Sequence, residues 1–324
     1  MRMFAAILVL LAVFAAALAL GDQPISLKGL VRALSGQLDA GDPSRIIIVD
    51  LRLPRAVMAV CVGAALGVAG AIAQAVMRNP LADPGIIGIN AGAALAAMLV
   101  IVQIGSLPES FLPWLTFAGA LVMSGLIYLF SWRDGATSAR IILVGLGLSA
   151  MAGAGASAIS VFGDAAHVQR AMIWLAGSLQ DSRWDKLGHL LGWGVPAAGL
   201  CWLASRELDL IALGDDVARG RGQRLNLVRG LLILCCAMLS GAAVAAAGLV
   251  AFVGLAAPHI ARALFGFRHS ALLPGAAVIG ALLVIGADIL ARRAAPPLQL
   301  PVGVITALLG APFFGYLLWA HRDD

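Results

Sequence analysis

The sequence predicts an all-α polytopic membrane protein, because composition and hydropathy exclude the other classes. Hydrophobic residue types make up 61% of the 324 residues and charged types only 12%, and the mean hydropathy is +0.96. A soluble domain carries about 45–50% apolar and about 25% charged residues, so this chain has too few polar side chains to cover a water-soluble fold. The 38 glycines follow no period, which excludes a collagen-like chain.

Apolar segments divide the whole chain. A membrane-spanning helix needs about 20 apolar residues, and ten segments of about this kind predict ten transmembrane helices in a single domain, 1–324, with short loops. Their approximate bounds are 3–20, 56–77, 86–104, 112–131, 141–162, 188–204, 228–250, 255–266, 272–291 and 302–320.

Two of these segments, and one further stretch, differ from an ordinary membrane-spanning helix. Segment 3–20 also resembles a secretory signal peptide, but the many spans that follow favour an uncleaved first helix. Segment 255–266 is short, so we expect a half-length or tilted helix that begins at Pro258. Residues 168–179 predict a short helix at the membrane surface, with Trp174 at the interface.

The charge pattern favours a cytoplasmic N-terminus. Both chain ends and the loop 206–229 then face the cytoplasm, and the weak excess of arginines on that side comes mainly from this loop. The formal charge of +5 is scattered along the chain. A nucleic-acid-binding surface is therefore not predicted.

The positions of the two lysines exclude an ATP-binding phosphate loop within this chain. Lys28 and Lys186, the two lysines, are followed by Gly29 and Leu187, so the phosphate-binding pattern GxxxxGK[ST] cannot occur. If ATP hydrolysis drives the protein, another subunit carries it out.

Motifs for catalysis or metal binding are also missing from the sequence. The five histidines lie apart, neither HExxH nor GxSxG occurs, and the four cysteines fall in apolar runs, where small buried side chains are expected. We therefore expect no catalytic residue, metal site or cofactor in this chain.

The loop 206–229 is the most polar part of the second half of the chain. Asp215 and Asp216 stand between flanking glycines. Acidic residues favour a helix start and glycine favours a helix end, so the pattern predicts a short cytoplasmic helix over 215–221. One interpretation is a rigid element that docks into a soluble partner, and the alternative is a solvated loop.

Small residues recur every four positions in the fifth apolar segment, at Gly145, Ser149, Gly153 and Ser157. Such spacing is expected to place them on one helix face. Close packing between helices is the favoured interpretation. A pore wall that leaves room for a bulky solute is the alternative.

Two pairs of charged residues lie near the predicted outer side. Asp288 and Arg292 are four apart on one helix and predict an ion pair that lowers the cost of burying charge; contact with a solute is the alternative. Arg52 and Arg55, three apart, could anchor the second span at the interface or bind carboxylates.

Long sequence motifs then occur in a fixed order from RLPR to LPVGVITALLGAPFFGYLL. Over about residues 45–320 the chain resembles the permease subunits of the iron-siderophore, haem and cobalamin ABC importers, the FecCD type. The motifs that carry the resemblance are at 52–55, 63–93, 142–150, 174–178, 211–222, 248–262, 272–292 and 300–318.

The resemblance implies the type II ABC importer permease architecture. Ten spans would pair with a second copy of the chain, or with a homologous permease, around a path at the subunit interface. Two cytoplasmic ATPase subunits would bind ATP and Mg, and a periplasmic substrate-binding protein would dock outside. The implied location is the bacterial inner membrane.

The resemblance also assigns a cytoplasmic contact with the ATPase. The residues that match this coupling-helix motif are Leu213, Gly214, Asp215, Ala218 and Gly222. Asp215 stands where the family usually has glutamate, and Arg221 stands where it usually has leucine. These departures are expected to tune the contact without removing it.

On the outer side, Arg52, Arg55 and Arg292 match arginines that face acidic residues of the binding protein. Thr137 and Ser138 fall where the family builds its cytoplasmic gate. Gln299 replaces a common glutamate, and no role is assigned to it.

The predicted function is therefore that of an importer permease for a bulky metal chelate. The WLAGS motif favours a ferric siderophore, with haem or cobalamin as the alternative substrate. A secondary transporter that uses Asp288 for ion coupling is the alternative class. A membrane enzyme would need a residue cluster that the sequence lacks.

Overall fold

The computed structural model describes residues 1–21, 25–39, 41–104, 108–132, 137–295 and 298–320. Within these ranges the chain is helical and contains no β-strand. The helices are α1 (Arg2–Ala19), α2 (Leu27–Leu34), α3 (Pro43–Arg45), α4 (Leu53–Met77), α5 (Pro84–Ile87), α6 (Ile89–Met98), α7 (Leu112–Ser131), α8 (Ser138–Phe162), α9 (Ala165–Leu175), α10 (Trp184–Leu203), α11 (Ser205–Leu213), α12 (Asp215–Gly220), α13 (Leu225–Ala247), α14 (Val253–Phe265), α15 (His269–Arg293) and α16 (Val302–Ala320).

The all-α polytopic class is confirmed. In the described ranges, 6 helices are long and apolar enough to cross a bilayer, or 7 if α10 and α11, which meet at a bend of 62°, form one span. Three shorter apolar helices cover 89–103, 253–265 and 302–315. Each predicted apolar segment is thus largely helical, and ten membrane crossings remain a prediction.

Helix α14 begins earlier than predicted. Its first residue is Val253, directly after Phe252 at a φ of 65°, so Pro258 lies inside the helix. Proline has no N–H to donate to the carbonyl of Gly254, four residues earlier. The backbone of α4 comes close to that carbonyl at Gly70, where a methyl group would lie 1.8 Å from the oxygen.

The short helix predicted over 168–179 is present as α9, which begins and ends a few residues earlier, at Ala165 and Leu175. Its position at the membrane surface remains a prediction. Asp164 caps its start, because its carboxylate accepts hydrogen bonds from the N–H groups of Ala166 and His167. Trp174 is partly buried and packs against the main core.

The core of the bundle is α4, which packs against α15 through glycines. A methyl group at Gly63 would lie 2.2 Å from the carbonyl oxygen of Gly280, and one at Gly67 would lie 2.1 Å from that of Ala276. Glycines four residues apart let two membrane helices approach backbone to backbone. Helices α1 and α8, by contrast, are mostly exposed and lie at the edge of the bundle.

The tight contact between α4 and α15 predicts that alanine substitutions inside and outside it differ in their effect on stability. Gly67→Ala should destabilise the bundle by about 1–3 kcal/mol, because the added methyl group meets rigid backbone. Gly125→Ala in α7 has no atom within 4 Å of the new methyl group, and should be neutral or stabilise the helix by up to about 1 kcal/mol. Thermal unfolding of the purified protein in detergent measures both, and equal shifts would contradict the proposed packing role.

Candidate functional site

The three predicted outer arginines lie around one cavity. Arg52, Arg55 and Arg292 line a cavity of 570 Å³, where α4 begins and α15 ends. Small-ligand sites have volumes of about 300–1,000 Å³. Polar side chains of Gln180 and Gln299 line it as well. The structure therefore brings together side chains that are far apart in the sequence, such as Arg52 and Gln299, which are 247 positions apart.

Asp288 is the buried acid at this cavity. The predicted ion pair with Arg292 is confirmed, with 3.1 Å between Nε and Oδ2. Arg55 adds two contacts to Oδ1, from Nε at 2.9 Å and from Nη2 at 2.8 Å. Nη1 of Arg55 also donates to Oε1 of Gln299 at 2.7 Å. Gln299, to which the sequence assigns no role, therefore holds Arg55 in place.

Arg52 and Arg292 bind the carboxyl end of α1. The last carbonyl groups of a helix lack partners within the helix and carry partial negative charge. Nη1 of Arg52 donates to the carbonyl groups of Leu18, at 2.8 Å, and Ala19, at 3.1 Å. Arg292 donates from Nη1 to the carbonyl of Leu20 and from Nη2 to that of Ala17, both at 3.1 Å.

These bonds affect the predicted docking role of the outer arginines. Arg52 and Arg292 are buried, and their guanidinium groups donate within the chain. Arg55 is buried less completely, although it is paired with Asp288. Binding-protein docking at these residues remains a prediction.

At the opposite end of α4, the short helix predicted in the loop 206–229 is present as α12. Gly222 has a φ of 81°. Its N–H donates to the carbonyl of Arg219 at 2.9 Å, and the N–H of Gln223 donates to that of Ala218 at 3.1 Å. This pair of bonds is the Schellman helix ending, in which glycine supplies the left-handed residue.

The side chains of the coupling motif divide into buried and exposed groups. Ala218 is fully buried within the chain, whereas Leu213 is 69% exposed and Val217 is 44% exposed. Gly214, with a φ of 122°, precedes α12 and turns the backbone between α11 and α12. Leu213 and Val217 are therefore the apolar side chains of this motif that can contact a soluble partner. Ala218 instead packs α12 against the rest of the chain.

Asp215 also turns inward. Its Oδ1 lies 2.7 Å from Nη2 of Arg229 and 3.7 Å from Nη2 of Arg78. The next acid, Asp216, is fully exposed and meets Arg219 at 3.8 Å. No sequence pattern linked Arg78 or Arg229 to Asp215. Arg78 directly follows the apolar segment 56–77, and Arg229 lies where the polar loop meets the segment 228–250.

The small residues of α8 differ in their surroundings along the helix. Gly145 is buried against α5, where a methyl group would lie 1.9 Å from the carbonyl oxygen of Ile87. Gly153 and Ser157 are exposed, and a methyl group at Gly153 would meet nothing within 4 Å. Each step of four residues rotates about 40° around a helix, so three steps rotate about 120°.

The two halves of this series therefore differ. Gly145 and Ser149 lie against α5 and its following residue, Gly88, which confirms the packing interpretation for them. For Gly153 and Ser157, which are exposed, a pore-lining role remains a prediction.

The predicted gate residues begin α8. The Oγ of Ser138 is buried and donates to the carbonyl of Val76 at 3.0 Å, which ties the start of α8 to the end of α4. Thr137 is exposed and accepts a bond from the N–H of Ile141 through its carbonyl. The structure places Ser138 against the last turn of α4, and the gating role of both residues remains a prediction.

Comparison with known proteins identifies the family. The model of the FecCD transport family matches residues 8–320. The chain belongs to this family.

Two curated relatives are similar to this FecCD protein over most of their length. The iron(3+)-hydroxamate import system permease protein FhuG of Bacillus subtilis is 39% identical over 96% of this chain and 94% of its own. The hemin transport system permease protein HmuU of Yersinia pestis is 38% identical over 95% of this chain and 93% of its own.

A solved structure agrees with the fold. An inward-facing metal-chelate type ABC transporter superposes with a TM-score of 0.88 at 29% identity, over 98% of both chains. This FecCD protein is thus a multi-pass membrane permease of the ABC importer type.

The outer cavity yields a stability prediction. Asp288→Asn should destabilise the protein by about 3–5 kcal/mol, because it leaves Arg55 and Arg292 buried without their counter-charge. Asp181→Asn removes a mostly exposed acid that pairs with Lys186, and should cost about 0–1 kcal/mol. Thermal unfolding in detergent compares the two, and a similar loss in both variants would show that burial of the Asp288 pairs contributes little.

Proposed function

We propose that this protein is the permease of a binding-protein-dependent, ATP-driven importer of a ferric siderophore in the bacterial inner membrane. The observation that carries the proposal is the match to FecCD over residues 8–320, together with a hydroxamate-iron permease that is similar along nearly the whole chain. Haem is the second candidate substrate, because the hemin permease is almost equally similar; cobalamin is the other alternative.

The proposed assembly contains several subunits. A second copy of the chain, or a homologous permease, forms the path with this single transmembrane domain, 1–324. Two cytoplasmic ATPase subunits bind ATP and Mg, since this sequence cannot contain a GxxxxGK[ST] loop. A periplasmic substrate-binding protein delivers the chelate.

Geometry argues against the secondary-transporter alternative. Asp288, the acid proposed for ion coupling in that class, is fully buried and contacts both Arg55 and Arg292. A carboxylate held by two guanidinium groups gains little from binding a further cation.

In the proposed path, the exposed half of the α8 series faces the solute. Gly153 and Ser157 offer a small, weakly binding surface on a helix at the edge of the bundle. Ser138 and Thr137 form the cytoplasmic gate where α8 meets α4.

Reconstitution tests the function directly. Proteoliposomes that contain this permease, its ATPase and its binding protein should accumulate a radiolabelled ferric trihydroxamate only with ATP and Mg. The permease alone should hydrolyse no ATP, because it has no phosphate-binding loop. Accumulation of haemin instead of the hydroxamate would reassign the substrate, and uptake driven by an ion gradient without ATP would contradict the transporter class.

The exposed side chains beside α12 yield a prediction for ATPase docking. Leu213→Arg should weaken ATPase binding by about tenfold or more, because a charge replaces the exposed apolar contact. Leu203→Arg provides a control at a similarly exposed leucine, 75% accessible, that is outside the motif. Co-purification of the ATPase with each variant measures binding, and full retention on Leu213→Arg would exclude this contact.

The outer arginines yield a salt-dependence prediction. Three arginines line the cavity, and the buried Asp288 pairs with two of them. The remaining positive charge should attract carboxylates of the binding protein. We expect Arg55→Gln to slow association at low ionic strength and to reduce its sensitivity to salt. Surface plasmon resonance with the reconstituted permease measures this, and an unchanged association rate would leave Arg55 with its internal role alone.

A further inference from the structure

Three helices meet at the carboxylate of Asp215. This residue begins α12, Arg229 belongs to the second turn of α13, and Arg78 directly follows α4. Both arginines approach the same oxygen, Oδ1, at 2.7 Å and 3.7 Å. These three residues are called the Asp215 clamp below.

The two arms of the Asp215 clamp differ in burial. Arg229 is 1% exposed, Asp215 is 16% exposed, and Arg78 is 42% exposed. A charge-assisted hydrogen bond that is shielded from water is strong, whereas a longer and partly exposed ion pair is weak. Helix α12 is therefore held firmly to α13 and more loosely to α4.

The backbone at Arg78 indicates that its side chain matters. Arg78 has a φ of 49°, and this left-handed turn closes α4 with N–H bonds from Arg78 to Ala75 and from Asn79 to Gln74. Glycine holds such a turn with less strain. The turn itself therefore does not explain an arginine at this position, whereas the ion pair with Asp215 does.

The cytoplasmic end of α4 leads onward to α8. After Arg78 the chain enters α5, whose last residue, Ile87, packs its carbonyl against Gly145. Ser138 binds the carbonyl of Val76 in the last turn of α4. A displacement of α12 that reaches α4 can thus reach α8 directly, through Ser138 and Val76, and also by way of α5, through Ile87 and Gly145.

We propose that the Asp215 clamp positions α12 for the ATPase and transmits the displacement of α12 to α13 and α4. Arg229 and Arg78 are positioning residues in this scheme, which rests on the proposed function as an ATP-driven importer. Asp215 fixes the position of α12, while the exposed side chains of Leu213 and Val217 can contact the partner.

Hydrogen exchange on the assembled permease–ATPase complex in lipid nanodiscs tests the positioning role. Asp215→Asn removes the charge that both arginines contact, and should accelerate exchange of the amides in 216–223 by about tenfold or more, as expected for loss of a charge-assisted hydrogen bond. Asp215→Glu keeps the charge and should exchange more slowly than Asp215→Asn. Asp216→Asn removes an equal charge from the same turn without touching the clamp and is the matched control.

Proteoliposomes test transmission by measuring transported ferric trihydroxamate per ATP hydrolysed. Asp215→Asn and Arg78→Gln should lower this ratio by about threefold or more, with ATP hydrolysis retained, and Asp215→Glu should restore part of it. Equal exchange in Asp215→Asn and Asp216→Asn would overturn the positioning role. Faster exchange in Asp215→Asn with an unchanged transport ratio would overturn transmission. If the wild-type assembly imports nothing, the proposed function fails, and the exchange result still decides whether the clamp holds α12.

Discussion

The close approach of α4 to α15 and α14 is the constraint on which the other features depend. At Gly63, Gly67 and Gly70 there is no room for even a methyl group. In a bilayer, where the hydrophobic effect does not drive helices together, such tight contact is a main source of association energy. One helix of 25 residues, about 37 Å long, is thereby fixed in the centre of the bundle, with the arginine cavity at its start and the Asp215 clamp at its end.

Charged residues in this protein are placed where helices end. Arg52 and Arg292 satisfy carbonyl groups that α1 leaves without partners, and Asp215 stands at the positive end of α12. Two of the buried acid–base contacts join different helices, Asp288 with Arg55 and Asp215 with Arg229. The low content of charged residues is therefore concentrated at the few junctions where the backbone needs polar partners.

Local patterns in the sequence predicted local structure well. Helix α12, its glycine ending and the ion pair between Asp288 and Arg292 all depend on residues a few positions apart, and all were found. The pair between Arg55 and Asp288 spans 233 positions, and no spacing rule links such residues. It became visible only once α4 and α15 lay side by side.

Two features could not be predicted from the sequence, for geometric reasons. The small residues of α8 repeat every four positions, while the helix turns every 3.6 residues, so Gly145 and Gly153 face different surroundings. The start of α14 was placed at Pro258 because proline favours a first turn. The actual start depends on the left-handed backbone of Phe252, a conformation that its side chain does not indicate.

The attachment of α1 to the bundle has a consequence for biosynthesis. Its carboxyl end, at residues 17–20, receives hydrogen bonds from Arg52 and from Arg292. The ribosome completes Arg52 soon after α1, but Arg292 is made 272 residues after Leu20. Helix α1 therefore reaches its final bonding only after α15 has been translated, so its attachment to the bundle is completed late.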